Sequence, residues 1–392
     1  MKIPFNKLYM TGKELEYVRE AYASGHISGD GPFTKKCQLW LEQRTGTSKV
    51  LLTHSCTAAL EMAAILAGIE PGDEVILPSF TFVSTANAFV VRGATPVFVD
   101  IRGDTLNVDQ DQIEAVISDK TKVIVPVHYA GVACNMDAIM QIADRHNLIV
   151  VEDAAQGVNA MYQGRPLGSI GHLGAFSFHV TKDYTCGEGG ALLINDQRLI
   201  ERAEIIREKG TNRSRFFRGE IDKYTWVDLG SSYLPSDILA ACLYAQLKHS
   251  DEIKNRRRTI FEFYYNNLKS LQDQGILRLP IIPDECSLNY HMFYLILPTE
   301  SERDRLLNYL KENGISAAFH FIPLHASPMG IGFSGKKDLP VTEQMSRRIL
   351  RLPFYTGLNV EEQQYIVDKI KKGTEQRDDK ITSVSRIAPT PI

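Results

Sequence analysis

The chain has 392 residues, of which 44% are hydrophobic and 23% charged, and its formal net charge is −3. That length exceeds one ordinary hydrophobic core and predicts two domains, and the near-balanced charge argues against general nucleic-acid or polyanion binding. The six cysteines are scattered without metal-ligand spacing and the ten histidines form no HExxH pattern, so no metal centre is expected. The amino terminus lacks a signal-peptide apolar core, and no run of about 18 apolar residues suggests a membrane span. Unpaired cysteines and these absences together predict a cytoplasmic protein with no membrane partner.

In chain order, residues 11–24 read as a helix behind a Thr11 cap. A loop with Gly25, Gly29, Asp30 and Gly31 follows, then a helix over 34–45. A strand over 49–52 breaks at Thr53-His54-Ser55-Cys56-Thr57 and enters an apolar helix over 58–66. Strand, small hydroxyl residues, then helix is an anion-binding arrangement, because the helix start offers free N–H donors and partial positive charge. The same residues also make an ordinary Ser/Thr cap. No Walker lysine or G-x-G-x-x-G is present, which leaves triphosphate and Rossmann readings without support. Further strands are expected at 74–78, 95–100, 122–128, 148–152 and 191–194, with helices between them, for example over 136–146. This alternation predicts a mostly parallel α/β sheet covered on both faces. A helix over 196–209 ends in a basic loop, 210–219, whose Arg213, Arg215 and Arg218 suit a diphosphate. A second loop, 230–237, precedes a long helix over 238–271. A second domain begins near residue 251. Its expected strands are 276–279, 292–297 and 317–321, and its helices 301–313, 342–350 and 360–372. Residues 374–392 are polar and aperiodic and read as disordered.

The chemistry concentrates between residues 148 and 190. A β-branched run ends in Glu152-Asp153-Ala154-Ala155-Gln156, and Ser177 and Lys182 stand shortly before Gly187-Glu188-Gly189-Gly190. In open α/β sheets, ligands sit beyond the carboxyl ends of such strands. Pyridoxal phosphate needs that set: a lysine amine to condense with its aldehyde and an acid against its pyridine nitrogen. Alone, Asp153 reads better as a helix cap and Lys182 as a surface lysine; together with the Gly-Glu-Gly-Gly run they make the candidate pair. Phe82, between a strand end and a helix head, is a candidate to stack on a flat ring or to pack in the core.

Ser55-Cys56-Thr57-Ala58-Ala59-Leu60, Phe82, Asp153-Ala154-Ala155-Gln156, Ser177-Phe178 with Lys182, Gly187-Glu188-Gly189-Gly190 and Pro323-Leu324-His325 resemble the DegT/StrS sugar aminotransferases. The resemblance spans about residues 3 to 372. It implies the aspartate-aminotransferase fold (fold type I), with a large domain over 1–250, a smaller α+β domain over 251–373, and a tail. It also implies residue roles: Lys182 bonded to pyridoxal 5'-phosphate, Asp153 on the ring nitrogen, Gln156 beside the ring hydroxyl, and Phe82 stacked on the ring. Cys56, Thr57 and Ser177 would take the phosphate. Many relatives add an asparagine from the partner subunit there; in this chain the corresponding loop offers Ser232. Gly29, Asp30, His320 and Phe321 would face the substrate. The implied reaction is ping-pong transfer of the amine of L-glutamate to a nucleotide-linked 4-keto-6-deoxy sugar, in a homodimer with shared active sites. A 3-amino-sugar transaminase is the alternative. Sugar dehydratases that resemble this family carry histidine at the lysine position, and a sensor with a decayed site would not keep Asp153, Gln156 and Lys182 together.

Overall fold

The computed structural model describes residues 1–334 and 337–375. Its strands are β1 (Lys49–Thr53), β2 (Glu74–Pro78), β3 (Thr95–Val99), β4 (Thr121–Ile124), β5 (Ile149–Asp153), β6 (Met161–Tyr162), β7 (Arg165–Pro166), β8 (Leu173–Ser177), β9 (Gly190–Ile194), β10 (Cys286–Ser287), β11 (Tyr294–Ile296) and β12 (Ile349–Arg351). Seven of them form the main sheet, in the order β1-β9-β8-β5-β4-β2-β3. From β8 through β5, β4 and β2 to β3 every pairing is parallel, whereas β9 runs antiparallel to both β1 and β8. The exception has a local cause. β8 and β9 are joined by a short loop, residues 178–189, with no crossover helix, so the chain must turn back on itself. Lys182 sits in that loop.

The central strands β5, β8 and β9 are buried almost throughout, which explains why they read as apolar runs rather than alternating ones. The helix Cys56–Leu66 is apolar nearly all round and buries eight of its residues, packing over β8 and β9. β9 begins directly beneath this helix's first turn. A Cβ on Gly190 would lie 2.4 Å from the Cys56 nitrogen, so only glycine admits that approach.

The predicted helix over 136–146 is present as Met136–His146, closed by a left-handed Asn147. The first helix starts at Glu14 rather than at Thr11; Thr11 and Gly12 donate their N–H groups to the Glu14 carboxylate instead of capping it. The long helical stretch is divided at His249 into Asp237–Lys248 and Ser250–Asp273. The second of these helices packs into a separate apolar cluster around Tyr264, Phe293, Leu306 and Ile366. There the predicted strand over 317–321 is reduced to one bridge, Ala318 with Arg351. The helix predicted over 342–350 is Pro340–Arg348, and residues 349–351 form β12 against β11. The last helix extends to Glu375, so the predicted tail begins later than residue 374 and otherwise lies outside the described residues. A fourth cluster joins the two parts: Phe80, Tyr129 and Ala130 beside the sheet pack on Tyr294, Ile296 and Ile349. The cavity described next is walled by both parts of the chain. Among the described residues no helix is long and apolar enough to cross a membrane.

Candidate active site

β5 ends in two adjacent acids on opposite faces of the strand. Glu152 is fully buried and satisfied: it accepts from the N–H groups of Gly168, Ile170 and Gly171 and lies 2.8 Å from His128 Nε2. It fixes the turn that feeds β8. Asp153 faces a cavity of about 500 Å³. Its Oδ1 accepts from the Ala155 N–H (3.1 Å) and its Oδ2 from the Thr85 hydroxyl (2.6 Å). Thr85 has only one hydroxyl proton, so at 2.8 Å from Thr81 it must accept from that residue. The relay Thr81–Thr85–Asp153 therefore aims the carboxylate. Asp153 is buried, and no cation lies within ion-pair distance among the described residues. A buried, uncompensated carboxylate is costly, and a protonated ring nitrogen is the kind of partner that would offset it.

The opposite end of the cavity is the start of the helix Cys56–Leu66. Ser55 caps it by accepting from the Ala58 N–H (3.1 Å), which leaves the N–H groups of Cys56 and Thr57 without helical partners. Thr57 donates its hydroxyl proton to Ser84 (2.8 Å), so Ser84 keeps its own proton for another acceptor. Ser177, at the end of β8, lines the same space. N–H groups, hydroxyls and a helix dipole form the donor set a phosphate requires.

Lys182 lies between these two ends. Burial pulls its amine below the ordinary lysine value, against the opposing pull of Cys56, Asp153 and Asp183. The next residue anchors the loop. Asp183 is paired with His291 (2.8 Å) and Arg257 (3.1 Å) and accepts from Asn289 (3.0 Å). Burial alone would raise its carboxyl, but Arg257 and His291 outweigh it and hold it below the usual range. Gln156 accepts from the Ala130 N–H through Oε1 (2.7 Å), which turns its two amide protons toward the cavity. Phe82 is 59% exposed, which excludes a core role and leaves a bare ring face at the cavity wall.

The roof comes from the second part of the chain. His320 stacks on Phe321, with centroids 3.5 Å apart, and its Nδ1 lies 2.9 Å from the Tyr129 hydroxyl. Burial pushes the Tyr129 phenol up, so it stays protonated. Burial also pushes His320 far down, which favours the neutral imidazole.

The structure thus gathers Cys56, Thr57, Phe82, Asp153, Gln156, Ser177, Lys182, His320 and Phe321 around one cavity. It sets the remaining expected site residues apart. Asp30, in a left-handed conformation, forms a two-point ion pair with the buried Arg207 (2.6 and 2.8 Å). Gly29 packs on Leu234. Gly31 is a glycine because the Asp237 carboxylate, which caps the helix Pro32–Thr45, lies where a Cβ would stand. Arg213 and Arg215 are paired with Glu208, Glu201 and Glu220, and Ser232 is exposed with its backbone bridged to Glu208. None of these lines the cavity. Sequence reasoning missed Thr81, Thr85 and Ser84, although the hydroxyl-rich run 79–85 between strand and helix was a visible signal. It also missed Phe5 and Asn6, where the amino-terminal segment crosses to the site, and Arg351, which the helix expected over 342–350 obscured.

A buried acid without a cation partner among the described residues, a lysine whose pKa burial lowers and a donor-rich helix start, all beyond the carboxyl ends of a largely parallel sheet, are the set a pyridoxal-phosphate-dependent aminotransferase needs. The chain belongs to the DegT/DnrJ/EryC1/StrS aminotransferase family, whose model matches residues 9–371. It is 33% identical over 378 residues to the spore coat polysaccharide biosynthesis protein SpsC of Bacillus subtilis, covering 94% of this chain and 96% of that one. Among solved structures it resembles the aminotransferase TlmJ from Streptoalloteichus hindustanus, with a TM-score of 0.88 and 29% identity over 96% of this chain and 100% of that one. The PLP-form of Spr1654 from Streptococcus pneumoniae is similar to the same degree, with a TM-score of 0.88, 27% identity, and coverage of 96% and 99%.

Proposed function

We propose that the enzyme transfers the amine of L-glutamate to carbon 4 of dTDP-4-keto-6-deoxyglucose, giving dTDP-4-amino-4,6-dideoxygalactose and 2-oxoglutarate. The observation that carries the transaminase chemistry is the buried Lys182, with its lowered amine, facing the same cavity as the unpaired Asp153. The bound cofactor supplies the electron sink. Lys182 Nζ, whose pKa burial pulls below the ordinary lysine value, would take the proton from the donor's α-carbon and, in the second half-reaction, would deliver a proton to the sugar carbon. Asp153, aimed by Thr85, would hold the proton on the ring nitrogen. The helix start at Cys56 and Thr57 and the hydroxyls of Ser84 and Ser177 would hold the phosphate, while Phe82 and the Gln156 amide would fix the plane of the ring.

The sugar reading draws on three supports. The cavity, at about 500 Å³, has room for a flat cofactor and a sugar ring. The stretches 49–87 and 209–219 resemble dTDP-4-amino-4,6-dideoxygalactose transaminase. SpsC, a protein named for polysaccharide biosynthesis, is similar along nearly its whole length, which fits a product destined for a surface polysaccharide. The enzyme works as a homodimer: the loops carrying Arg213, Arg215 and Ser232, and that carrying Gly29 and Asp30, serve the neighbouring subunit's cavity. Phe217 and Trp226, 68% and 77% exposed in the single chain, are apolar surface that a second subunit would cover. The test offers 3-keto and 4-keto dTDP-sugars side by side and identifies the product by NMR. The expected product is the 4-amino galacto sugar; a 3-amino sugar or the gluco epimer overturns the substrate while leaving the class intact. Sedimentation at assay concentration should give a dimer, and an active monomer refutes the shared site.

A further inference from the structure

We propose that His291, oriented by Asp183, is the base that accepts the surplus proton of the donor's incoming ammonium group. An amino acid carries its amine protonated near pH 7, and only the neutral amine is a nucleophile. Under the transaminase reading, Lys182 is bonded to the cofactor when the donor arrives and Asp153 is engaged with the ring nitrogen, so neither is free to take that proton. Asp183 follows Lys182 directly in the chain. Its buried carboxylate meets His291 Nδ1 at 2.8 Å, Arg257 Nη2 at 3.1 Å and the Asn289 amide at 3.0 Å. An ionised carboxylate only accepts, so Nδ1 must carry a proton. Arg257 also donates to the carbonyls of His291 (2.5 Å) and Tyr290 (3.0 Å), which fixes the backbone that carries the ring. With Nδ1 committed, Nε2 is the ring nitrogen left for a ligand, and among the described residues no hydrogen bond reaches it. An imidazole with one nitrogen held by a carboxylate and the other open is a directed base.

The position suits the task. His291 and Lys182 both line the main cavity, and both also line a second, small cavity of about 10 Å³ that Asp183 shares. Most other polar groups of the main cavity are donors or cations: the helix start at Cys56, Ser84, the Gln156 amide and Arg351. Glu188 is exposed and paired with His179 (3.5 Å). The titratable groups that face His291 are Asp183 and Lys182 of the loop 178–189, Arg257 of the helix Ser250–Asp273 and His320 of the roof. Burial pulls the imidazole below its ordinary value against the pull of Asp183, which favours the neutral, proton-accepting form. In the step itself an N–H bond of the ammonium breaks and an Nε2–H bond forms. The amine keeps the electron pair, the Asp183 carboxylate on Nδ1 offsets the new imidazolium charge, and the proton then passes to solvent.

The inference rests on the transaminase reading but not on which sugar is aminated, because the donor half-reaction runs without any keto-sugar. His291→Gln and Asp183→Asn holoenzymes, with His320→Gln beside them, are mixed with L-glutamate alone over a range of pH, and the change in the cofactor's visible band is followed. Near-unchanged circular dichroism and an intact visible band establish that each variant folds and holds cofactor. His291→Gln should lose about 100-fold in rate near neutral pH, and the loss should shrink to a few-fold above the pKa of the donor's own amine, where solution supplies the neutral form. Asp183→Asn should carry the same pH signature, because an amide no longer fixes the tautomer. A loss of equal size at every pH, as a merely structural contact would give, overturns the proposal. So does a pH-dependent loss in His320→Gln that is missing from His291→Gln. Nitrogen NMR of the histidine-labelled apoprotein is a readout independent of turnover. The signal missing from His291→Gln should be that of a neutral ring protonated on Nδ1; a ring protonated on Nε2 overturns the assignment. If the pH signature holds while no 4-keto sugar is aminated, the base stands and the substrate proposal falls. If the wild type takes no amine from any amino acid, the transaminase reading falls and the base with it.

Discussion

Two charged stretches border the main sheet, and on paper they look alike. One, residues 152–190, carries Asp153 and Lys182; the other, residues 207–220, carries Arg207, Arg213, Arg215 and Arg218. In the structure they differ in one respect. The arginines are neutralised locally by Asp30, Glu201, Glu204, Glu208 and Glu220. Asp153 and Lys182 have no ion-pair partner within reach among the described residues, although both face a shared cavity. Charges paired within the chain leave no electrostatic demand of their own, and where exposed they contribute little to stability. Buried charges without partners are costly, and they persist where a ligand completes them. Density of charge in the sequence does not separate the two stretches, but pairing does.

The sharpest break in that comparison is Lys182→Ala. Removal of the nucleophile and proton carrier should abolish multiple turnover, a loss of at least about 10⁴-fold, with circular dichroism unchanged. Product formation near the wild-type rate would remove Lys182 from the chemistry. Asp153→Asn keeps the shape and loses the charge. Both half-reactions should slow by about one to two orders of magnitude, the worth of a charge-assisted hydrogen bond, as read by stopped-flow absorbance. Rates within a few-fold of wild type would mean that the ring nitrogen is held by something else. Thr85→Val removes the hydroxyl that orients Asp153 at 2.6 Å while keeping the branched shape. A loss of about 1 kcal/mol, roughly five-fold in rate, is expected, and no change would make the relay incidental. At the other pole, Arg218→Gln breaks contacts with Glu204 and Glu220 on the surface and should shift unfolding free energy by less than about 1 kcal/mol in urea titration.

The lowered Lys182 amine also sets a pH dependence. Capture of pyridoxal phosphate by the apoprotein requires the unprotonated amine, so the rate rises with pH and levels off once Lys182 has lost its proton. Because burial lowers that pKa, the plateau begins below the pH at which a free lysine titrates. A rate still climbing through the free-lysine range would show that Nζ is not desolvated.

How much of this was legible in the sequence follows from the range of the interactions. The end of β5 was readable because it is a short apolar run that ends in acid, and β9 because it is an apolar run just after the glycines. β8 was not expected as a strand, although its last residue, Ser177, was singled out. Asp153, Gln156, Ser177 and Lys182 lie within thirty positions of one another. The phosphate cup was readable because a helix start is a local object. The opposite wall was not. Tyr129, His320 and Arg351 meet only through tertiary packing, and Arg351 was hidden because 342–350 carries helical periodicity up to the residue where β12 takes over. The Gly29–Gly31 loop misled for a related reason. Its glycines do mark a close approach, but what approaches is Leu234 and the Asp237 carboxylate of the same chain. Composition tells that space is needed and leaves open who fills it.

The central claim is that Lys182 is the residue that bonds the cofactor, and chemical trapping tests it most directly. Holoenzyme is treated with borohydride, digested, and mapped by mass spectrometry. The account predicts the reduced pyridoxyl phosphate mass on the peptide that carries Lys182 and on no other. The label on a different lysine, or no label on a protein that shows the visible cofactor band, would contradict it.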